Sequence, residues 1–158
     1  MSTRANVILA KPSWDDYLLF YRHSDGYPEG TLPHLEQFMG WVKEDRIRDN
    51  VSQSAGWLVM LGALEYRQYQ LPYERWHSWL KVLSKEEFKT KLNRVFGKHN
   101  APCHPSKNES MGWKVGAFEP ASYLAGDIEY LYMVDLDKKE IRQIPRSQWK
   151  QWENKFNK

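Results

Sequence analysis

Apolar positions along this chain fall into short blocks whose spacing changes twice. Ala5-Asn6-Val7-Ile8-Leu9-Ala10 is brief and almost continuous, the pattern of a largely buried strand. Lys11 to Asp16 carries Pro and Asp and predicts a turn. Tyr17 to His23, rich in aromatics, predicts a second strand, and the two strands are expected to pair as an antiparallel hairpin. The period then becomes helical. Leu32, Leu35, Phe38, Met39 and Val42 share one helix face, with Thr31 as the expected N-cap and Pro33 in the first turn. Asn50 followed by Gln53 predicts the start of a second helix, apolar from Ala55 to Leu64 and so expected to be buried, its glycines read as permitting close packing.

Two further helical faces follow. Trp76, Trp79, Leu80 and Leu83 form one, and Phe88, Leu92, Val95 and Phe96 the other, opened by the capping box Ser84-Lys85-Glu86-Glu87. Lys98 to Gly112 is polar and reads as a loop. Gly112 to Phe118 alternates like a strand, Ile128 to Val134 is the strongest strand pattern in the chain, and Glu140 to Ile144 returns beside it after a turn. Pro145 opens a last helix with Trp149, Trp152 and Phe156 on one face. The order ββ-αααα-βββ-α predicts an α+β fold, an antiparallel sheet of about five strands with helices packed on one face. No repeat or linker interrupts it, and residues 1–158 are expected to form a single domain.

Composition narrows the class. Aromatic residues make up 15% of the 158 residues, with eight Trp and nine Tyr, far from the profile of a disordered chain. The single cysteine, Cys103, excludes an internal disulfide, and no apolar run has the length of a membrane span. The N-terminal segment lacks the apolar centre of a signal peptide, so a cytoplasmic protein is expected. Net charge is only +3 but is unevenly spread. Val115 to Asp137 holds five acids and no base, whereas Lys138 to Lys158 holds seven Lys or Arg. The basic C-terminal helix, through Arg146, Lys150 and Lys155, is a candidate partner-binding surface.

Candidate chemistry gathers at Tyr21-Arg22-His23-Ser24-Asp25-Gly26-Tyr27-Pro28-Glu29-Gly30, a polar corner between a strand and a helix. His23 and Asp25 alternate along one strand, Asp127 and Glu129 along another. A sheet that brings them together with Tyr27 and Tyr130 makes a polar cluster, although Asp25-Gly26 is also an ordinary turn dipeptide. A pocket of Arg4, Arg22, His23 and Tyr27 suits an anionic nucleotide. The helix start after Gly30 offers free N–H groups, and no phosphate-binding glycine motif occurs. His99, Cys103 and His104 lie close in sequence, but adjacent Cys and His do not readily share one tetrahedral ion, and neither a metal nor another cofactor is expected. Removal of Met1 would leave Ser2 as an N-terminal nucleophile, the one route to hydrolase chemistry besides the carboxylates.

The opening Met1-Ser2-Thr3-Arg4-Ala5-Asn6, the His23-x-Asp25-Gly26-Tyr27-Pro28-x-Gly30 corner and Gly126-Asp127-x-Glu129-Tyr130-x-Tyr132 together resemble a family of small uncharacterised proteins of phages, prophages and bacteria. The resemblance covers about a third of the chain. Ser24 stands where members often have Trp, and Ala125 where they often have His, which removes one candidate catalytic group. What the resemblance implies is context, an accessory gene of a mobile element. Such proteins often block host antiviral defences by binding a protein complex, as anti-CRISPR inhibitors do, or a signalling nucleotide. Three expectations follow. The first is an inhibitor acting by occupancy in the host cytoplasm, on a defence protein or ribonucleoprotein or on a small anionic nucleotide. The second is a hydrolase with an N-terminal nucleophile or a carboxylate site. The third is an oligomeric interaction module.

Overall fold

The computed structural model describes residues 3–67 and 118–158. The third and fourth sequence-predicted helices, the loop after them and the strand expected over 112–118 lie outside these residues, apart from Phe118. Strands β1 (Ala5–Lys11) and β2 (Asp16–Arg22) form the expected antiparallel hairpin, joined by a 3-10 turn over Pro12–Trp14. Helices α1 (Pro28–Lys43) and α2 (Val51–Arg67) follow, then β3 (Glu119–Ala121), β4 (Tyr130–Asp135), β5 (Glu140–Gln143) and helix α3 (Trp149–Phe156). The architecture is α+β around a five-stranded sheet of order β3-β2-β1-β4-β5.

Two features differ from the sequence expectation. The sheet is mixed, because β1 and β4 run parallel at its centre, Ala5 beside Tyr130 and Val7 beside Tyr132. Every residue of β1 is buried, and β4 is buried from Leu131 to Asp135, as central strands covered on both faces require. The helices also divide between the faces. Ala5, Val7, Leu9, Phe20, Tyr132 and Val134 point to one face, where Leu35, Phe38, Trp41 and Val42 of α1 and Val51, Leu58 and Leu61 of α2 cover them. Ile8, Ala10, Leu19, Leu131 and Met133 point to the other, against Trp149, Trp152 and Phe156 of α3 and against Leu124 and Ile128. With period-2 side chains and apolar residues at both parities, a single helical layer would leave half of this apolar surface in water.

Local chemistry explains the ends of the elements. The N-cap of α1 is Tyr27, four residues before the expected Thr31, because Tyr27 is extended, Pro28 occupies the first turn and Gly30 N–H donates to Tyr27 C=O. The Asn50 side chain accepts from the Gln53 N–H at 3.1 Å, capping α2 as the sequence predicts. In α2 a Cβ added at Gly56 would meet open space, so that glycine does not serve close packing. Lys11, buried at the end of β1, lies 3.5 Å from both Asp49 and Asp137, fastening the α1–α2 connection and the β4–β5 turn to the hairpin.

Candidate functional site

The corner after β2 is built around Arg22. This side chain is fully buried, its Nε donating to Asp25 C=O at 3.2 Å and Nη2 to Gly30 C=O at 3.0 Å, with the Phe118 ring 4.8 Å away. Thr31 Oγ1 donates to the same Asp25 carbonyl at 2.8 Å, and Tyr132 Oη donates to Gly26 C=O at 2.7 Å. Burial, first, and the neighbouring Tyr130 push the Tyr132 phenol far above its ordinary range, which keeps it a donor. The left-handed residue of the corner is Asp25, at φ 56°, rather than Gly26. Gly26 is required for a different reason: an added Cβ would stand 2.8 Å from Ala5 Cβ and 2.9 Å from the Thr3 carbonyl oxygen. Its N–H donates to that carbonyl, so the corner is pinned against the start of β1.

The other side of the same sheet end carries a second group. Arg4 Nη1 meets Asp127 Oδ2 at 2.7 Å, and the Arg4 charge reaches the Tyr21 hydroxyl. Tyr21 Oη lies 2.9 Å from His23 Nδ1. Glu119, opposite Tyr21 in the β2–β3 register, is within charge reach of both Tyr21 and His23. Burial raises the Glu119 carboxyl above its ordinary value, only partly offset by His23. Burial likewise raises the Tyr21 phenol, with Arg4 opposing and Asp127 and Glu119 adding to the rise.

The sequence-predicted site residues are therefore separated by the sheet. Arg4, His23 and Asp127 come together on one face, with Tyr21 between them. Arg22 lies on the other, where Tyr130 stacks on Tyr132 with ring centroids 6.2 Å apart. Asp25 serves the corner through its backbone, Tyr27 is 39% exposed at the N-cap of α1, and Glu129 is exposed, its N–H bonded to Arg4 C=O. On α3 and the turn before it, Arg146 lies 4.8 Å from the Trp149 ring centroid, and Lys155 lies 4.0 Å from the Tyr17 ring centroid and 3.5 Å from Asp15. Lys150 projects into solvent beside Glu153. Glu119 was not recognisable from sequence, because a three-residue strand containing Pro120 carries no period. Tyr21 was within the corner but read as a strand aromatic, and its reversal between Arg4 and His23 needs the hairpin register to be seen.

Among the described residues no group of three His, Cys, Asp or Glu is placed to hold a metal ion, and no helix is long and apolar enough to cross a membrane. His99, Cys103, His104 and Ser2 lie outside the described residues. No protein-family model, no curated protein sequence and no solved structure matches this chain.

Proposed function

We propose that this chain is an accessory protein of a phage or other mobile element that inhibits a host antiviral defence system by binding, and that its target is a protein. The observation that carries the choice of target is that both arginines of the corner are engaged within the protein. Arg22 is buried on two carbonyl groups, and Arg4 is paired with Asp127 at 2.7 Å. A signalling nucleotide needs cations turned outward to its phosphates. Here it would meet Glu119, Asp127 and Glu129 around Arg4, which repel phosphate. Tyr27 and Tyr123, at 39% and 65% exposure, supply the amphipathic rings on which protein interfaces depend.

The test is phage plating on hosts that each carry one defence system and express this chain. Relief of one system, with wild-type infection on defence-free hosts, supports the proposal. Relief of none across a broad panel counts against it. A hydrolase would instead relieve a nucleotide-signalling system while consuming its signal, which chromatography of the cell extract detects.

A further inference from the structure

The two edges of the sheet are finished differently. β3 is three residues long and contains Pro120, which has no N–H to offer a neighbouring strand. β5, Glu140-Ile141-Arg142-Gln143, is the last strand on its side of the sheet among the described residues, and Glu140, Arg142 and Gln143 are exposed. Which of its backbone groups face outward follows from one bond. Ile144 N–H donates to Leu131 C=O at 2.7 Å, and the β4–β5 register sets these two residues opposite each other. Hydrogen-bonded and non-bonded pairs alternate along an antiparallel ladder, so Arg142 and Glu140 bond to Met133 and Asp135. Ile141 and Gln143 therefore turn their N–H and C=O away from β4, toward the outer edge. The side chains alternate as well. Ile141 packs on the α1–α2 side of the sheet, and Arg142, whose Nη2 donates to Met133 Sδ at 3.5 Å, lies on the α3 side.

We propose that the β5 edge is a self-pairing surface, and that its partner is β5 of a second copy of this chain, joined antiparallel about a two-fold axis at Ile141. The charges of β5 select both the partner and the register. Outward-turned residues of an antiparallel pair must meet outward-turned ones, and residues directly opposite share a face. With a two-fold axis, that rule sets one residue opposite its own copy. Centring on Glu140 sets two carboxylates face to face, and centring on Arg142 sets two guanidinium groups so. Centring on Gln143 sets Ile141 against Pro145, which has no N–H to return. Centring on Ile141 avoids all three conflicts. The two Ile141 backbones exchange N–H and C=O bonds, and their side chains meet on the α1–α2 side. Each Glu140 then faces the second copy's Arg142 on the α3 side, at the kind of position where facing side chains lie closest. Charges on an edge strand ordinarily repel other strands. Opposite charges placed on either side of one apolar residue repel mismatched strands and still match their own copy. Self-pairing does not depend on which target the chain inhibits, and the two proposals stand or fall separately.

Sedimentation velocity of the full chain over a concentration series tests the pairing, with reductant present so that Cys103 cannot link chains. Wild type should pass from monomer to dimer as concentration rises, and less readily in high salt, which screens the exposed charge pairs. Glu140→Arg and Arg142→Glu each set like charges opposite one another, and each variant alone should dimerise about tenfold or more weakly. Mixed in equal amounts, the two variants should dimerise again, because every facing pair is then of opposite sign. Amide hydrogen exchange gives a second readout on the wild type. The outward Ile141 amide should exchange more slowly at dimer-forming concentration, while the Arg142 amide, already bonded to β4, should not change. A chain that stays monomeric at millimolar concentration overturns the proposal. So does a dimer that both variants retain, a mixture that stays monomeric, or unchanged exchange at Ile141. The exchange measurement needs no variant, so it decides the matter even where a substitution disturbs the fold.

Discussion

The Tyr132 hydroxyl donates to the Gly26 carbonyl at 2.7 Å, tying a central strand of the sheet to the corner that leads into α1. The two residues are 106 positions apart, and Tyr132 is fully buried. Tyr132→Phe would leave a buried carbonyl unpaired, so a loss of about 1–3 kcal/mol is expected from denaturant unfolding. Amide exchange should rise first at Gly26 and the start of α1. Uniform loosening of the whole sheet would show that the bond does not hold the corner specifically.

Two glycines separate close approach from helix propensity. Gly26→Ala forces a methyl group to 2.8 Å from Ala5 Cβ and 2.9 Å from backbone atoms, and should destabilise by roughly 1–3 kcal/mol. Gly56→Ala meets open space in α2 and should stabilise by about 1 kcal/mol, because alanine loses less freedom on forming a helix. Thermal unfolding of both variants checks the pair, and equal effects would contradict the packing described.

Glu119 and Asp137 are expected to respond to pH with opposite signs. The Glu119 carboxyl is raised on folding by burial, so its contribution is favourable only while it is protonated and is lost as pH rises through its folded value. Glu119→Gln should therefore melt higher than wild type at neutral pH, with the difference vanishing below about pH 4. A lower melting temperature at neutral pH would mean that Glu119 has a cation in the free protein.

Asp137 behaves in the other direction. The Ser13 N–H and O–H, donating at 2.7 and 2.8 Å, hold its carboxyl below the ordinary range, with Lys11 adding to the effect. Its stabilisation is present above the ordinary carboxylate value and is lost as pH falls through the lowered one. Asp137→Asn should lower the melting temperature at neutral pH and flatten the acid side of the stability profile. An unchanged acid limb would show that the Ser13 contacts do not persist in solution.

The hairpin, the two helices after it, the Asn50 cap and the β4–β5 return were legible in the sequence because each rests on local periodicity or a local hydrogen bond. The parallel β1–β4 pair was not, because it joins segments more than a hundred residues apart. The all-apolar run Val7-Ile8-Leu9 did hint at it, since it leaves no face for water. The opposite placement of α3 follows from the same run. At the site, Arg4, His23 and Asp127 were recognisable as chemistry-bearing residues. Their division from Arg22 and Tyr130 was not, because one step along a strand reverses the face.

Native mass spectrometry of this chain, isolated from a host whose defence it relieves, tests the central claim most directly. The expected species is the chain with a protein of that defence system, free of nucleotide. A chain carrying the mass of a nucleotide, intact or cleaved, and no protein would contradict the account.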